Sequence, residues 1–159
     1  MPPDPARDPI ARWAQDADGA ALWLHATGVA VDGRGLLILG GSGTGKSGLA
    51  LELMAHGARL IADDGLWLDT ASRPPALRRP AQATGLIEAR RVGLLHAGDT
   101  LAEAPLALAV DLDRAETDRL PPPRRIAVGE TGCPLIHGAG DPRLAPALLL
   151  MLRHGRAHP

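Results

Sequence analysis

Lys46 is the only lysine in the chain; the other sixteen basic residues are arginine. It lies in Gly40-Gly41-Ser42-Gly43-Thr44-Gly45-Lys46-Ser47, which reads G-x-x-x-x-G-K-S, the phosphate-binding P-loop pattern. The chemistry open to such a run is the gripping of a nucleoside triphosphate. Glycines let successive backbone N–H groups converge on phosphate oxygens, and the start of a helix adds partial positive charge. Lys46 would reach the β- and γ-phosphates, and the Ser47 hydroxyl would ligate Mg²⁺. A planar guanidinium is bulkier and differently shaped, so arginine is a poor substitute for a compact ammonium here. The plain alternative is a glycine-rich strand-to-helix turn that binds nothing.

Asp63 and Asp64 end a short apolar run, Leu60-Ile61-Ala62. P-loop proteins often place a carboxylate that organises Mg²⁺ at such a strand end. Neighbouring side chains on an extended segment point to opposite faces, so one of the two is expected to enter the site. A solvated loop pair is the competing reading. His25 stands alone on an alternating stretch, and a lone histidine is more often packed or exposed than catalytic. Arg90, Arg91, Arg124 and Arg125 suit an acidic partner or a further phosphate, but solvated surface charge explains them equally well.

The elements that must carry these residues are legible in outline. Leu22, Leu24 and Ala26 alternate with Trp23 and His25 in a strand pattern. Val29–Val31, the Asp32-Gly33 pair and Leu36–Leu39 read as a hairpin, with Leu36–Leu39 apolar on both faces and therefore central. The glycine-rich loop follows at once. Lys46–His56 then reads as a helix closed by Gly57. Leu66–Leu68 reads as a strand following Leu60–Ala62 after a kink, and Leu106–Leu112 as a strand ending in acids. Ile126–Val128 and Pro134–Ile136 are short strand candidates, and Ala145–Arg153 a final helix. Ser72–Ala83 is rich in Pro and Arg and reads as a loop; Arg119–Arg125, with three prolines in succession, reads as an exposed bend. Residues 1–15 are expected to be a flexible tail, and 16–159 one domain.

Composition sets bounds on this reading. A chain of 159 residues, 45% apolar, suffices for one domain with one sizeable core. With three Trp and neither Phe nor Tyr, that core has to be aliphatic. A net charge of −1 provides no global field to attract nucleic acid or a membrane. The single cysteine, Cys133, rules out an internal disulfide and a cysteine-rich metal site, and reads as a structural thiol. The first fifteen residues lack the apolar centre of a signal peptide, and no run is long enough to span a bilayer. The default expectation is a cytoplasmic protein.

Beyond the P-loop, the stretch Leu24-His25-Ala26-Thr27-Gly28-Val29-Ala30-Val31-Asp32-Gly33-Arg34-Gly35, then Leu49-Ala50-Leu51-Glu52-Leu53 and Leu60-Ile61-Ala62-Asp63-Asp64, resembles the kinase domain of HPr kinase/phosphorylase. It is most similar to the short form that lacks the family's N-terminal domain. Ile87-Glu88-Ala89-Arg90-Arg91-Val92-Gly93-Leu94-Leu95 is similar to the family's I-E-I-R-G-L-G-I-I signature. The resemblance implies a single α/β P-loop domain related to phosphoenolpyruvate carboxykinase, with a central mixed β-sheet flanked by helices. It implies a serine kinase acting on the phosphocarrier protein HPr, with ATP and Mg²⁺ as cofactors. Asp64 would accept the serine proton, His25 and Lys46 would be active-site residues, Ser47 and Glu88 would be Mg²⁺ ligands, and Arg119 in Asp118-Arg119-Leu120 would match the catalytic arginine. Family members form hexamers, so a homo-oligomer is expected.

The chain departs from the pattern at four places, the first being that the C-terminal helices with which longer members recognise HPr are mostly missing. Gly48 stands where the family has an acidic residue, and Arg91 where the signature has glycine. The proline-arginine-glycine loop that the family uses in dephosphorylation has no clear counterpart, so the expectation rests on the kinase direction. Two other classes fit the motifs: a nucleotide-binding regulatory module with little transfer, and a small-molecule P-loop kinase or ATPase.

Overall fold

The computed structural model describes residues 7–157. Its strands are β1 (Arg7–Pro9), β2 (Ala14–Asp18), β3 (Ala21–Leu24), β4 (Thr27–Val31), β5 (Arg34–Leu39), β6 (Arg59–Ala62), β7 (Leu66–Asp69), β8 (Ala76–Arg78), β9 (Leu86–Ala89), β10 (Gly93–His96), β11 (Glu103–Asp111), β12 (Arg125–Val128) and β13 (Thr131–His137). The α-helices are α1 (Lys46–Ala55) and α2 (Leu144–His154), and a short 3-10 helix covers Ile10–Trp13.

Eleven strands form one curled, mixed sheet. One leaf runs β13, β11, β5, β4, β6. Here β11 is parallel to both β13 and β5, while β4 is antiparallel to β5 and β6. The first residues of β11 turn away to pair with β8, and the second leaf continues antiparallel through β7, β3 and β2. Each leaf is apolar towards the other, and the first leaf is apolar on its outer face as well. That is why Leu36–Leu39 reads as a continuous apolar run. Leu37 and Leu39 pack with Leu24, Ile61, Leu66, Leu68 and Leu77 between the leaves. Leu36 and Ile38 pack with Leu49 and Leu53 of α1 and Leu148 and Leu152 of α2. Both helices therefore cover one face, and the second leaf covers the other, a layered arrangement around aliphatic cores.

Two expectations need correction. The end of the supposed tail is ordered from Arg7 onward, while residues 1–6 lie outside the described part. β1 pairs in parallel with β12, and Ile10 enters the core at 4% exposure. Asp8 accepts from Arg114 at 2.7 Å. Arg114 and Arg12 in turn face the buried Asp111 carboxylate at 3.5 and 3.9 Å. The Pro- and Arg-rich stretch Ser72–Ala83 also contains a strand, β8. Its Ala76 and Leu77 are buried between β7 and the start of β11. Tertiary pairing overrides local composition in both cases.

Among the described residues no helix is long and apolar enough to cross a membrane. Cys133 is a packed thiol that burial pushes up to about 12, so it is inert at neutral pH. Burial, followed by the charges of Arg124 and Arg114, holds the His137 imidazole below its ordinary value. Its Nε2 has no partner among the described residues. Below the ordinary histidine value of ~6.5 the unfolded chain takes up a proton that the folded chain still refuses. Stability should therefore fall as pH drops below that point. A His137→Gln variant should show a flatter decline of melting temperature between pH 7 and 5; an unchanged slope would assign the loss to other groups.

Candidate active site

The glycine-rich loop leaves the buried end of β5 and delivers the chain into α1. Gly40 is needed because a Cβ there would come within 2.4 Å of the Thr44 hydroxyl, which is turned inward to donate to the Gly41 carbonyl at 2.8 Å. Gly45, with φ of 98°, is left-handed at the helix start and lets α1 begin directly at Lys46. The first turn of α1 carries no acidic residue, so its positive end is left for an anion. Lys46 is 7% exposed, and its Nζ donates to the carbonyls of Gly40 at 2.8 Å and Gly41 at 3.0 Å. These bonds satisfy a nearly buried ammonium. The Gly41 N–H donates to the Asp113 carboxylate at 2.9 Å, so a residue just beyond β11 steadies the loop.

Ser47, one residue into the helix, donates its hydroxyl to Asp63 Oδ1 at 2.9 Å. Thr27, fully buried on β4, donates to the same oxygen at 2.9 Å. Asp64, next along, meets His25: His25 Nε2 lies 3.0 Å from Asp64 Oδ1. The expectation that only one of the paired aspartates enters the site is overturned. Strand β6 ends at Ala62, and Asp64 takes a left-handed backbone (φ 61°), so the chain turns rather than alternating. Both carboxylates line one cavity of about 400 Å³, together with His25, Lys46, Ser47 and Glu88. Ser42, Gly43 and Gly45 complete the loop side of that cavity. Glu88 reaches it from β9, whose neighbour Ile87 is buried against α1. Arg91, standing in place of the signature glycine, adopts the left-handed conformation itself (φ 69°) and closes the β9–β10 turn.

The backbone after Asp64 is pinned from the other side. Trp23 lies over Gly65 and packs edge-to-face on Trp67, with ring centroids 5.1 Å apart. A Cβ at Gly65 would sit 2.4 Å from the Trp23 ring. Gly65→Ala should destabilise the fold by about 1–3 kcal/mol through overpacking. It should also slow any reaction that depends on Asp64. A thermal melt paired with an activity assay tests this, and a variant with an unchanged melting temperature would show that the indole moves aside freely.

Arg119 is not brought to this cavity. The segment after β11 folds towards β13, with the Ala139 N–H donating to the Arg114 carbonyl and Arg124 pairing with Glu116. Arg119 instead lines a separate cavity with His137, Asp141 and Arg143. Sequence reasoning does not name Thr27 and Asp113, and it offers Asp63 only as the alternative to Asp64. For Asp63 and Asp113 the only signal is that each follows an apolar strand.

Among the described residues no group of three or more His, Cys, Asp or Glu could hold a metal on its own. Mg²⁺ fits nonetheless. It takes one or two carboxylates, keeps several waters and draws further oxygens from phosphates. Ser47 and Asp63 are already joined, and Glu88 shares their cavity. Both hydroxyls that bond Asp63 use Oδ1, which leaves Oδ2 without a partner among the described residues.

The chain's likeness to known proteins lies in family and in fold. Residues 19–118, more than half of the chain, match the family described as HPr Serine kinase C-terminal domain. The chain is also similar in fold to the HPr(Ser) kinase/phosphatase from Coxiella burnetii. The TM-score is 0.70 and the identity 23%, over 82% of this chain and 93% of the other.

Proposed function

Because the chain belongs to the HPr serine kinase C-terminal domain family, we propose that it is an ATP- and Mg²⁺-dependent serine kinase whose acceptor is an HPr-type phosphocarrier protein. The observation that carries this reading is the His25–Asp64 contact of 3.0 Å in the same cavity as Lys46, Ser47 and Asp63. A hydroxyl-activating carboxylate thus stands beside a cradle built for a triphosphate.

The reaction follows from positioning and electrostatics, which dominate phosphoryl transfer. Backbone N–H groups of Ser42, Gly43, Gly45 and Lys46 hold the phosphate oxygens, while those of Gly41 and Thr44 stay engaged with Asp113 and the Gly41 carbonyl. Lys46 exchanges its two carbonyl partners for phosphate oxygens and offsets charge that builds on the bridge. Ser47, Asp63 and Glu88 would hold Mg²⁺, whose charge would offset the negative charge of the phosphates. Asp64 orients the serine hydroxyl and takes its proton as the serine oxygen bonds to the γ-phosphorus and the bond to the departing ADP breaks. His25, held against Asp64 Oδ1, fixes that carboxylate's direction. Incubation with ATP, Mg²⁺ and the HPr-type protein, followed by intact mass, tests the reading. A gain of one phosphoryl group on the acceptor is expected; ATP binding without any gain would leave a nucleotide-binding module. The position of Arg119, outside the cavity, favours that second reading.

A further inference from the structure

Five large apolar side chains are exposed among the described residues: Val92, Leu94, Leu95, Leu120 and Leu150. Three of them fall on one hairpin, β9–β10, and that hairpin borders the candidate active site. Its register places Leu94 opposite Glu88 and Leu95 opposite Ile87. Residues opposite one another share a face of the ribbon. Ile87 is 1% exposed and packs with Leu49, Ala50 and Leu53, so the face it shares with Leu95 is anchored to the core. The other face carries Glu88, in the cavity wall, and next to it Leu94 at 65% exposure. At the turn Val92 is 75% exposed. Arg90, the neighbour of the turn, lines the cavity too. An apolar strip thus runs outward from the place where the γ-phosphoryl would be handed over. β10 pairs only with β9, so its outer edge has no strand partner among the described residues. Apolar area concentrated in one exposed patch beside a polar site marks an interaction surface.

We propose that the β9–β10 hairpin is the docking arm for the protein acceptor, whose serine-bearing segment lays an apolar side chain on Val92 and Leu94 while its hydroxyl reaches Asp64. The proposal rests on the kinase reading above. A second copy of this chain is the competing occupant. Seated permanently on the Glu88 face, it would cover the mouth through which the serine has to enter. The acceptor has to lie over that mouth, so the strip serves it without conflict. Arg90 and Arg91 add positive charge at the turn, which suits a segment whose apolar residue has neutral or acidic neighbours.

The test compares the full chain with the double variant Val92→Asp/Leu94→Asp. Both side chains are exposed, so the fold should be retained. Should the aspartates unfold it, Val92→Ser/Leu94→Ser removes the same apolar area more gently. Affinity for the HPr-type protein is measured with Mg²⁺ and a non-hydrolysable ATP analogue present. Nucleotide affinity and solution mass are measured separately. Acceptor binding should weaken about tenfold or more, with nucleotide affinity and mass unchanged. Unchanged acceptor affinity with intact nucleotide binding overturns the docking arm alone. A fall in mass without a change in acceptor affinity reassigns the strip to self-association and overturns it too. If the unaltered chain binds no nucleotide, the kinase reading falls and takes this proposal with it.

Discussion

Replacing Asp64 with asparagine should slow phosphoryl transfer roughly a thousand-fold, the scale of a lost general base, while nucleotide affinity stays put. Asparagine is the informative choice because it fits the space and tolerates the left-handed backbone at this position (φ 61°). It can still hydrogen-bond to His25, so the geometry survives while the proton acceptor disappears. Among the described residues Asp64 makes no hydrogen bond to the glycine-rich loop; the hydroxyl of Ser47 is held by Asp63 instead. Calorimetry with Mg²⁺ and ATP should therefore match the parent chain, and initial rates with the acceptor should not. A variant that phosphorylates at the parental rate would place the base elsewhere.

Lys46→Arg should be nearly as damaging, although it keeps the charge. Lys46 is 7% exposed, and its ammonium sits between two loop carbonyls at 2.8 and 3.0 Å. A planar guanidinium needs more width and a different donor geometry than that slot provides. Loss of one donor preorganised for the transition state lowers turnover by roughly a hundred- to a thousand-fold, and misplacing it should do the same. The measurement is kcat/KM for ATP, beside displacement of a fluorescent nucleotide. The composition offers a second readout. Lys46 is the only lysine, so an amine-reactive acylating agent has one side chain to modify, and saturating ATP should protect it. Near-normal rates in the arginine variant would reduce Lys46 to a generic positive charge.

Local chemistry made much of this fold legible in the sequence. Asp32-Gly33 is a turn because both residues take positive φ, 52° and 77°, as a tight hairpin requires. Leu36–Leu39 reads as central because each of its faces meets a different core. Spacing singles out Lys46 and Ser47 and predicts that one of the acids after Ala62 joins them; both acids line the cavity with them. What stayed hidden depends on partners remote in the chain. Strand β8 exists because β7 and β11 offer it edges, and nothing local to Ala76–Arg78 announces them. Asp113 steadies Gly41 from 72 residues away. The paired aspartates follow a turn and not the alternation of an extended strand, since the left-handed step at Asp64 depends on what packs behind it. Arg119 rests on the family resemblance alone, and the fold of the segment beyond β11 carries it into a separate cavity with His137 and Arg143.

The amino-terminal segment has a practical consequence. Asp8 and Arg12 grip Arg114 and Asp111. Asp111 in turn accepts from the backbone of Asp113, and Asp113 holds Gly41. An affinity tag, a surface linkage or a trimming protease acting near Arg7 therefore works on a lever connected to the glycine-rich loop. What resembles a disposable leader is better treated as part of the loop's support when the protein is engineered or immobilised.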